Sequence, residues 1–396
     1  MKTIPFYKPH IGQAEIDAVV DTLRSGWLTT GPKTKQFEAE FARYVGQQHA
    51  VALNSCTAAL HLALEAIGLK PGQSVVVPTL TFAATAEVVR YFNAKPILVD
   101  CRVTDFNLDP HDAEAKISAA RQRGEEVVAI IPVHYGGQIA DMAAILRLAA
   151  KFGLKVIEDA AHCCPAYYRQ DASSPWLPVG AESAVSCYSF YANKTITTGE
   201  GGMACTSNAE LADRMRVMSL HGISKDAWKR FTASGSWYYE IVAPGFKYNL
   251  TDIAAAIGLE QLRQADRLRE LREQWARMYS ELLGGVEELV LPVVQAERIH
   301  SWHLYVIRLR LNRLRIDRAQ FITELKERGI GSSVHWLPLH MHPYYRQTYG
   351  YRAEDLPVAA GLYPELITLP LFPDMTADDV ATVSSAVRGI IEANRK

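Results

Sequence analysis

The feature that most constrains this chain is an alternation. Between residues 49 and 206, short runs of apolar, β-favouring residues take turns with amphipathic stretches of helical period. Residues 49–53, 74–78, 96–100, 127–133, 154–159, 184–190 and 202–206 read as strands, and 57–67, 82–91 and 139–152 as helices among them. Strands that are apolar along their whole length need cover on both faces. A mostly parallel sheet flanked by helices supplies that cover, so an α/β domain is expected. Its ligands belong at the carboxyl ends of the strands. Upstream, residues 14–24 place Ile16, Val19, Val20 and Leu23 on one helical stripe, with Gly26 where a C-terminal cap would sit.

From Thr251 the texture changes. A long charged helix through Arg272, a strand near 304–311 and helices near 318–328 and 377–393 predict a separate α+β unit. A chain of 396 residues exceeds the size of one core. The expected division is 1–250 for an N-terminal arm and large domain, and 251–396 for a smaller C-terminal domain.

Charge excludes some partners. Lys plus Arg number 42 against 43 for Asp plus Glu, so no global field favours nucleic acid or an anionic membrane. No apolar run reaches the ~18 residues of a membrane span, and the first ten residues lack the apolar stretch of a secretion signal; a cytoplasmic location is expected. The cysteines at 56, 101, 163, 164, 187 and 205 show no CxxC pairing, and His162 beside Cys163-Cys164 is too compressed for a zinc site. Buried reduced thiols and no metal are expected.

Three stretches carry chemistry. In Ser189-Phe190-Tyr191-Ala192-Asn193-Lys194, followed by Thr198-Gly199-Glu200-Gly201-Gly202, a lysine just past a buried strand precedes a glycine cluster able to turn the chain back. An amine presented inside a cleft in this way forms Schiff bases; an exposed loop lysine is the competing reading. In Val156-Ile157-Glu158-Asp159-Ala160-Ala161-His162, an apolar strand ends in two acids. Pyridoxal phosphate (PLP) needs an acid beside its pyridine nitrogen, because the protonated ring is its electron sink, and Asp159 fits. A helix N-cap is the alternative for Asp159. In Asn54-Ser55-Cys56-Thr57-Ala58-Ala59-Leu60, a strand end passes into a helix start whose free amides suit a phosphate, although Ser and Thr begin most helices anyway.

Together with Gly26-Trp27-Leu28-Thr29-Thr30-Gly31-Pro32, residues 78–83 and residues 245–253, these stretches resemble the DegT/StrS-type sugar aminotransferases over nearly the whole chain. The resemblance implies a fold-type-I, aspartate-aminotransferase-like α/β fold: a large mostly parallel-sheet domain that binds pyridoxal 5'-phosphate, and a smaller α+β C-terminal domain. It implies a homodimer with shared active sites. It also implies that Lys194 forms the Schiff base and relays the proton, Asp159 pairs with the pyridine nitrogen, Phe82 stacks on the ring and His162 lies near its O3′. Thr57 and Ala58 through their amides, neighbouring Cys56, and Ser189 through its hydroxyl would hold the phosphate. Asn249 matches an asparagine given by the partner subunit, with the N-cap of the following helix as the other reading.

On the substrate side, the resemblance points to Thr29, His221, Tyr248, His303 and His335, and to the segments 221–225 and 236–240 as cover for the sugar. Each of these histidines is equally readable as structural. The nearest family members in texture are the C4 transaminases of UDP-4-amino-4-deoxy-L-arabinose and pseudaminic acid synthesis. The implied reaction moves an amino group from glutamate to a nucleotide-linked keto sugar. The alternatives are a transaminase acting at C3 of a dTDP- or GDP-sugar, or a PLP-binding sensor without turnover. Cys163-Cys164-Pro165 and the Pro-interrupted loop 171–180 depart from the family pattern.

Overall fold

The computed structural model describes residues 3–224 and 239–396. Seven strands form the main sheet: β1 (His49–Leu53), β2 (Ser74–Pro78), β3 (Lys95–Val99), β4 (Val127–Ile130), β5 (Lys155–Asp159), β8 (Val185–Ser189) and β9 (Gly202–Thr206), in the order β1-β9-β8-β5-β4-β2-β3. Only β9 runs antiparallel to its neighbours, pairing with β1 and β8. The pleat explains why whole strands are apolar: Val75 and Val77 enter the core on one face and Val76 the core on the other. β4 is shorter than expected, because past Ile130 the chain leaves the ladder and Val133 keeps only an isolated bridge to Asp159.

Helices α3 (Cys56–Ala66), α4 (Ala84–Arg90) and α7 (Ala209–Ser219) cover one face. Helices α2 (Pro32–Tyr44), α5 (Pro110–Gln122), α6 (Met142–Phe152) and α8 (Asp252–Arg263) cover the other. The expectations did not include α2. Its signature is a proline at the first position and Phe37 and Phe41 one turn apart, with the Phe41 ring 5.0 Å from that of Tyr188.

Helix α1 (Gln13–Ser25) forms as expected and ends on Gly26 in the left-handed region, φ 75°. Its apolar stripe, however, does not face this chain's core: Ile16 and Leu23 are 49% and 52% exposed. Glu15 and Thr22 are the buried residues, Glu15 accepting hydrogen bonds from Gln261 at 2.7 Å and Gln264 at 2.5 Å. Gln264 is also where the single long helix expected over 251–272 breaks into α8 and α9 (Ala265–Leu283). Helix α8 packs on α1 and α2, and its core residues Ala255 and Leu259 join those of the main sheet.

The C-terminal part forms a three-stranded antiparallel sheet, β10 (Leu289–Val290), β12 (Tyr305–Leu309) and β13 (Leu366–Leu369), in the order β10-β12-β13. With α9, α10 (Arg318–Glu327) and α13 (Ala377–Asn394) it buries a separate core around Tyr279, Tyr305, Phe321 and Val387. Short strands β6 (Tyr167–Tyr168), β7 (Leu177–Pro178) and β11 (Arg298–Ile299) pair in a third sheet, and α11 (Pro343–Tyr349) and α12 (Pro357–Leu362) complete the helices among the described residues.

Candidate active site

The carboxyl ends of β1, β2, β5 and β8 converge on a cleft of about 360 Å³. Lys194 reaches it from the turn after β8, where Lys194 N–H donates to the Tyr191 carbonyl at 2.9 Å. Gly199, at φ 81°, returns the chain into β9, and Phe190 N–H closes the loop on Gly201 at 2.9 Å. Burial lowers the Lys194 pKa to about 8, with Cys56 and Asp159 pulling the other way. A minor fraction of neutral amine, far larger than for an ordinary lysine, is therefore present near pH 7.

Asp159 ends β5 and is buried. Oδ2 accepts from Thr85 Oγ1 at 2.8 Å, and Oδ1 from Ala161 N–H at 3.2 Å. Burial still raises its pKa above the ordinary value, opposed first by Thr85, then Ala161 and Lys194. No helix follows Asp159, so it is not an N-cap.

His162 accepts the Gly136 N–H on Nδ1 at 3.1 Å. Its ring lies 4.3 Å from that of His303 and stacks on Trp336 at 5.2 Å and 25°. Burial and then Lys194 hold its pKa well below the usual value, so it is neutral and its remaining proton sits on Nε2. His335 is likewise held near 3 by burial, with Nδ1 2.7 Å from Thr368 Oγ1. His303, pushed the same way by burial and His162, leaves Nδ1 buried without a partner. Phe82, 59% exposed, lines the cleft with its ring 6.4 Å from Trp336.

At the start of α3, Ser55 caps the helix by accepting Ala58 N–H at 3.0 Å. Ala58 has thus spent the amide expected to face a ligand, while Cys56 and Thr57 line the cleft. Gly202 lies so close beneath that a Cβ there would stand 2.5 Å from Cys56 N. Only glycine allows this approach.

Nine expected residues therefore share one cleft: Lys194, Asp159, His162, Cys56, Thr57, Phe82, Ser189, His303 and His335. Ala58, Thr29, His221, Tyr248 and Asn249 do not line it within this chain. Tyr248 OH lies 3.1 Å from His61 Nδ1, and Asn249 Nδ2 donates to Thr30 Oγ1 at 2.7 Å. Helix α8 is capped by Thr251 instead of Asn249. Lys225 and residues 236–238 of the expected sugar cover lie outside the described residues. Sequence reasoning missed Thr85, Trp336 and Asn193, whose buried Oδ1 has no partner. Asn193 stands inside the stretch that ends on Lys194, and Thr85 follows four residues after Thr81, whose hydroxyl it meets at 2.8 Å.

The chain matches the DegT/DnrJ/EryC1/StrS aminotransferase family over residues 9–388. It is 45% identical over 390 residues to the spore coat polysaccharide biosynthesis protein SpsC of Bacillus subtilis, covering 98% of this chain and 97% of SpsC. Its structure resembles the PLP-form of Spr1654 from Streptococcus pneumoniae, with a TM-score of 0.88 at 31% identity, covering 99% of each chain. It also resembles PseC of Helicobacter pylori, an aminotransferase involved in the biosynthesis of pseudoaminic acid, with a TM-score of 0.88 at 25% identity, covering 99% of this chain and 100% of PseC. The protein belongs to the DegT/DnrJ/EryC1/StrS aminotransferase family, a pyridoxal-phosphate-dependent class.

Proposed function

We propose that this protein is a cytoplasmic sugar-nucleotide aminotransferase that takes its amino group from glutamate and gives it to a keto sugar, most simply a UDP-linked 4-keto sugar. The observation that carries the reading is one cleft in which a lysine of lowered pKa and a buried carboxylate accompany neutral histidines and an exposed aromatic ring. The kinship with SpsC and PseC, one named for polysaccharide and the other for pseudoaminic acid biosynthesis, supports a sugar as acceptor.

The residues fit the cofactor. Asp159 is a buried carboxylate whose burial disfavours its charge, and a protonated ring nitrogen is the cation that would restore it. The start of α3, its Cys56 and Thr57 amides over the Gly202 floor, with the Ser189 hydroxyl, is suited to the phosphate. Phe82 is free to cover one ring face and His162 to donate Nε2–H to the ring oxygen. When bound, pyridoxal phosphate supplies an electron sink for negative charge developing on the substrate carbon. Lys194 Nζ, neutral in part near pH 7, accepts the proton from that carbon and returns it.

The active unit is a homodimer. One chain leaves Ile16 and Leu23 of α1 and the following Trp27 and Leu28 exposed, and it keeps Asn249 off its own cleft. Asn249 then completes the partner's phosphate site, and Thr29, His221 and Tyr248 serve the partner's substrate.

The test is a screen of UDP-, dTDP- and GDP-linked keto sugars with glutamate, read as 2-oxoglutarate release and amino-sugar formation. We expect turnover with a UDP-4-keto sugar and its loss, by at least about 10³-fold, in Lys194→Ala. Release with none of the sugars, or full turnover by the variant, overturns the assignment.

A further inference from the structure

We propose a second binding site, separate from the cofactor cleft, for a small planar uncharged molecule that carries an N–H and a C=O side by side. It lies where residues 103–106 and 135–138 of the main-sheet part meet residues 290–308, in a cleft of about 290 Å³, close to the volume of small-molecule pockets. The walls are apolar: Phe106, Tyr135, Leu291, Val293, Leu304 and Val306. Phe106 and Tyr135 meet edge to face at 5.2 Å, which favours an aromatic occupant.

Two polar side chains in these walls are left half-used. Gln138, 4% exposed, donates Nε2–H to the Val293 carbonyl at 2.7 Å, while its Oε1 is buried without a partner. His300, 7% exposed, accepts the Trp302 N–H on Nδ1 at 2.8 Å, which places its proton on Nε2. None of the described hydrogen bonds uses that N–H. Both residues line the cleft, so a ligand that reaches Gln138 Oε1 with a donor and His300 Nε2–H with an acceptor would satisfy groups the fold leaves unspent, and a buried polar group left unmatched is costly.

The ionisable groups at the cleft are already committed, Asp105 to Arg102 and Arg308 to Glu365 at 2.9 Å, so nothing there calls for a charged ligand. Residues that line this cleft touch residues that line the cofactor cleft. Gly136 N–H holds His162, Tyr135 OH donates to the His335 carbonyl, and Leu304 follows His303. Wall residues of this cleft therefore hydrogen-bond two of the three histidines and adjoin the third in the chain. The site stands independently of the sugar assignment.

The probe is benzamide, titrated into the PLP-loaded protein and followed by ligand-observed NMR, with toluene and benzoate as controls. We expect saturable benzamide binding in the millimolar range. Toluene and benzoate should bind more weakly. Val293→Trp, at a position 63% exposed and remote from the cofactor cleft, plugs the mouth and should abolish binding without changing the melting temperature. Gln138→Leu should weaken benzamide about tenfold and leave toluene unchanged. Absence of saturable binding, binding untouched by Val293→Trp, or displacement by glutamate would overturn the site; toluene binding as tightly as benzamide would overturn the ligand chemistry.

Discussion

Glu158 and Asp159 are neighbours on one strand, yet the two faces of the sheet put them to opposite uses. Asp159 points to the cleft, held by Thr85 and Ala161, with burial opposing its charge. Glu158 points to the rear, fully buried, where Oε2 accepts His134 Nε2–H at 2.8 Å and Gly180 N–H at 3.2 Å. His134 takes the Ala140 N–H on Nδ1 at 3.2 Å, which fixes its tautomer. The rear carboxylate is a structural tie joining β5, the 134–140 turn and the approach to β8. The front one lines the cleft beside Lys194, with burial opposing its charge. Side-chain chemistry being nearly the same, the period of two along a strand decides the role.

Breaking the rear tie should have the largest effect on stability. Glu158→Ala leaves the His134 N–H and the Gly180 amide unmatched in the core and should cost about 3 kcal/mol, seen as a fall in the denaturation midpoint. The front acid should behave in reverse. Asp159→Asn keeps an acceptor for Thr85 and is expected to leave the melting temperature of the apo form unchanged or raised, while lowering turnover by about 10²–10³-fold. Equal melting losses in both variants would erase the distinction between the faces.

A third acid sharpens the comparison through pH. Glu38, on α2, accepts Ala52 N–H at 2.8 Å, and burial raises its pKa from 4.5 to about 7, against the pull of that hydrogen bond and of Arg216. Between those values the folded chain holds a proton that the unfolded chain has released, so stability falls as pH climbs from 4.5 to 7. Glu38→Gln should flatten that slope, by on the order of 2 kcal/mol across the window, in denaturant titrations at several pH values. The smallest effect is expected at Thr85→Val, which removes one hydrogen bond from Asp159: about 1 kcal/mol, and a rise in the pKa read from the pH dependence of the PLP absorbance.

Much of this was legible in one dimension. The strands of the main sheet lie within a few residues of their expected places because their signal, runs of β-branched residues bounded by turns, is local. Lys194, Asp159, Cys56 and Thr57 could be located for the same reason: each sits where a strand gives way to a turn or helix, and parallel sheets gather such ends. Helix α2 escaped notice because its apolar residues are few and its burial comes from Phe37 and Phe41 packing on aromatics of β8 and the following turn. The stripe on α1 is legible as helical, but its destination is not, since periodicity says that a face will be covered and not by what.

The sequence by itself determined the α/β layering, the strands and the lysine and aspartate that line one cleft, because hydrophobic period and turn chemistry act over a few residues. Tertiary structure alone decided which amides remain free at α3, that Trp336 and Thr85 join the site, and that Thr29, His221, Tyr248 and Asn249 stand off their own cleft. Those outcomes depend on contacts between segments as far apart as Asp159 and Thr85 or His162 and Trp336, and no local pattern encodes a distance across the fold.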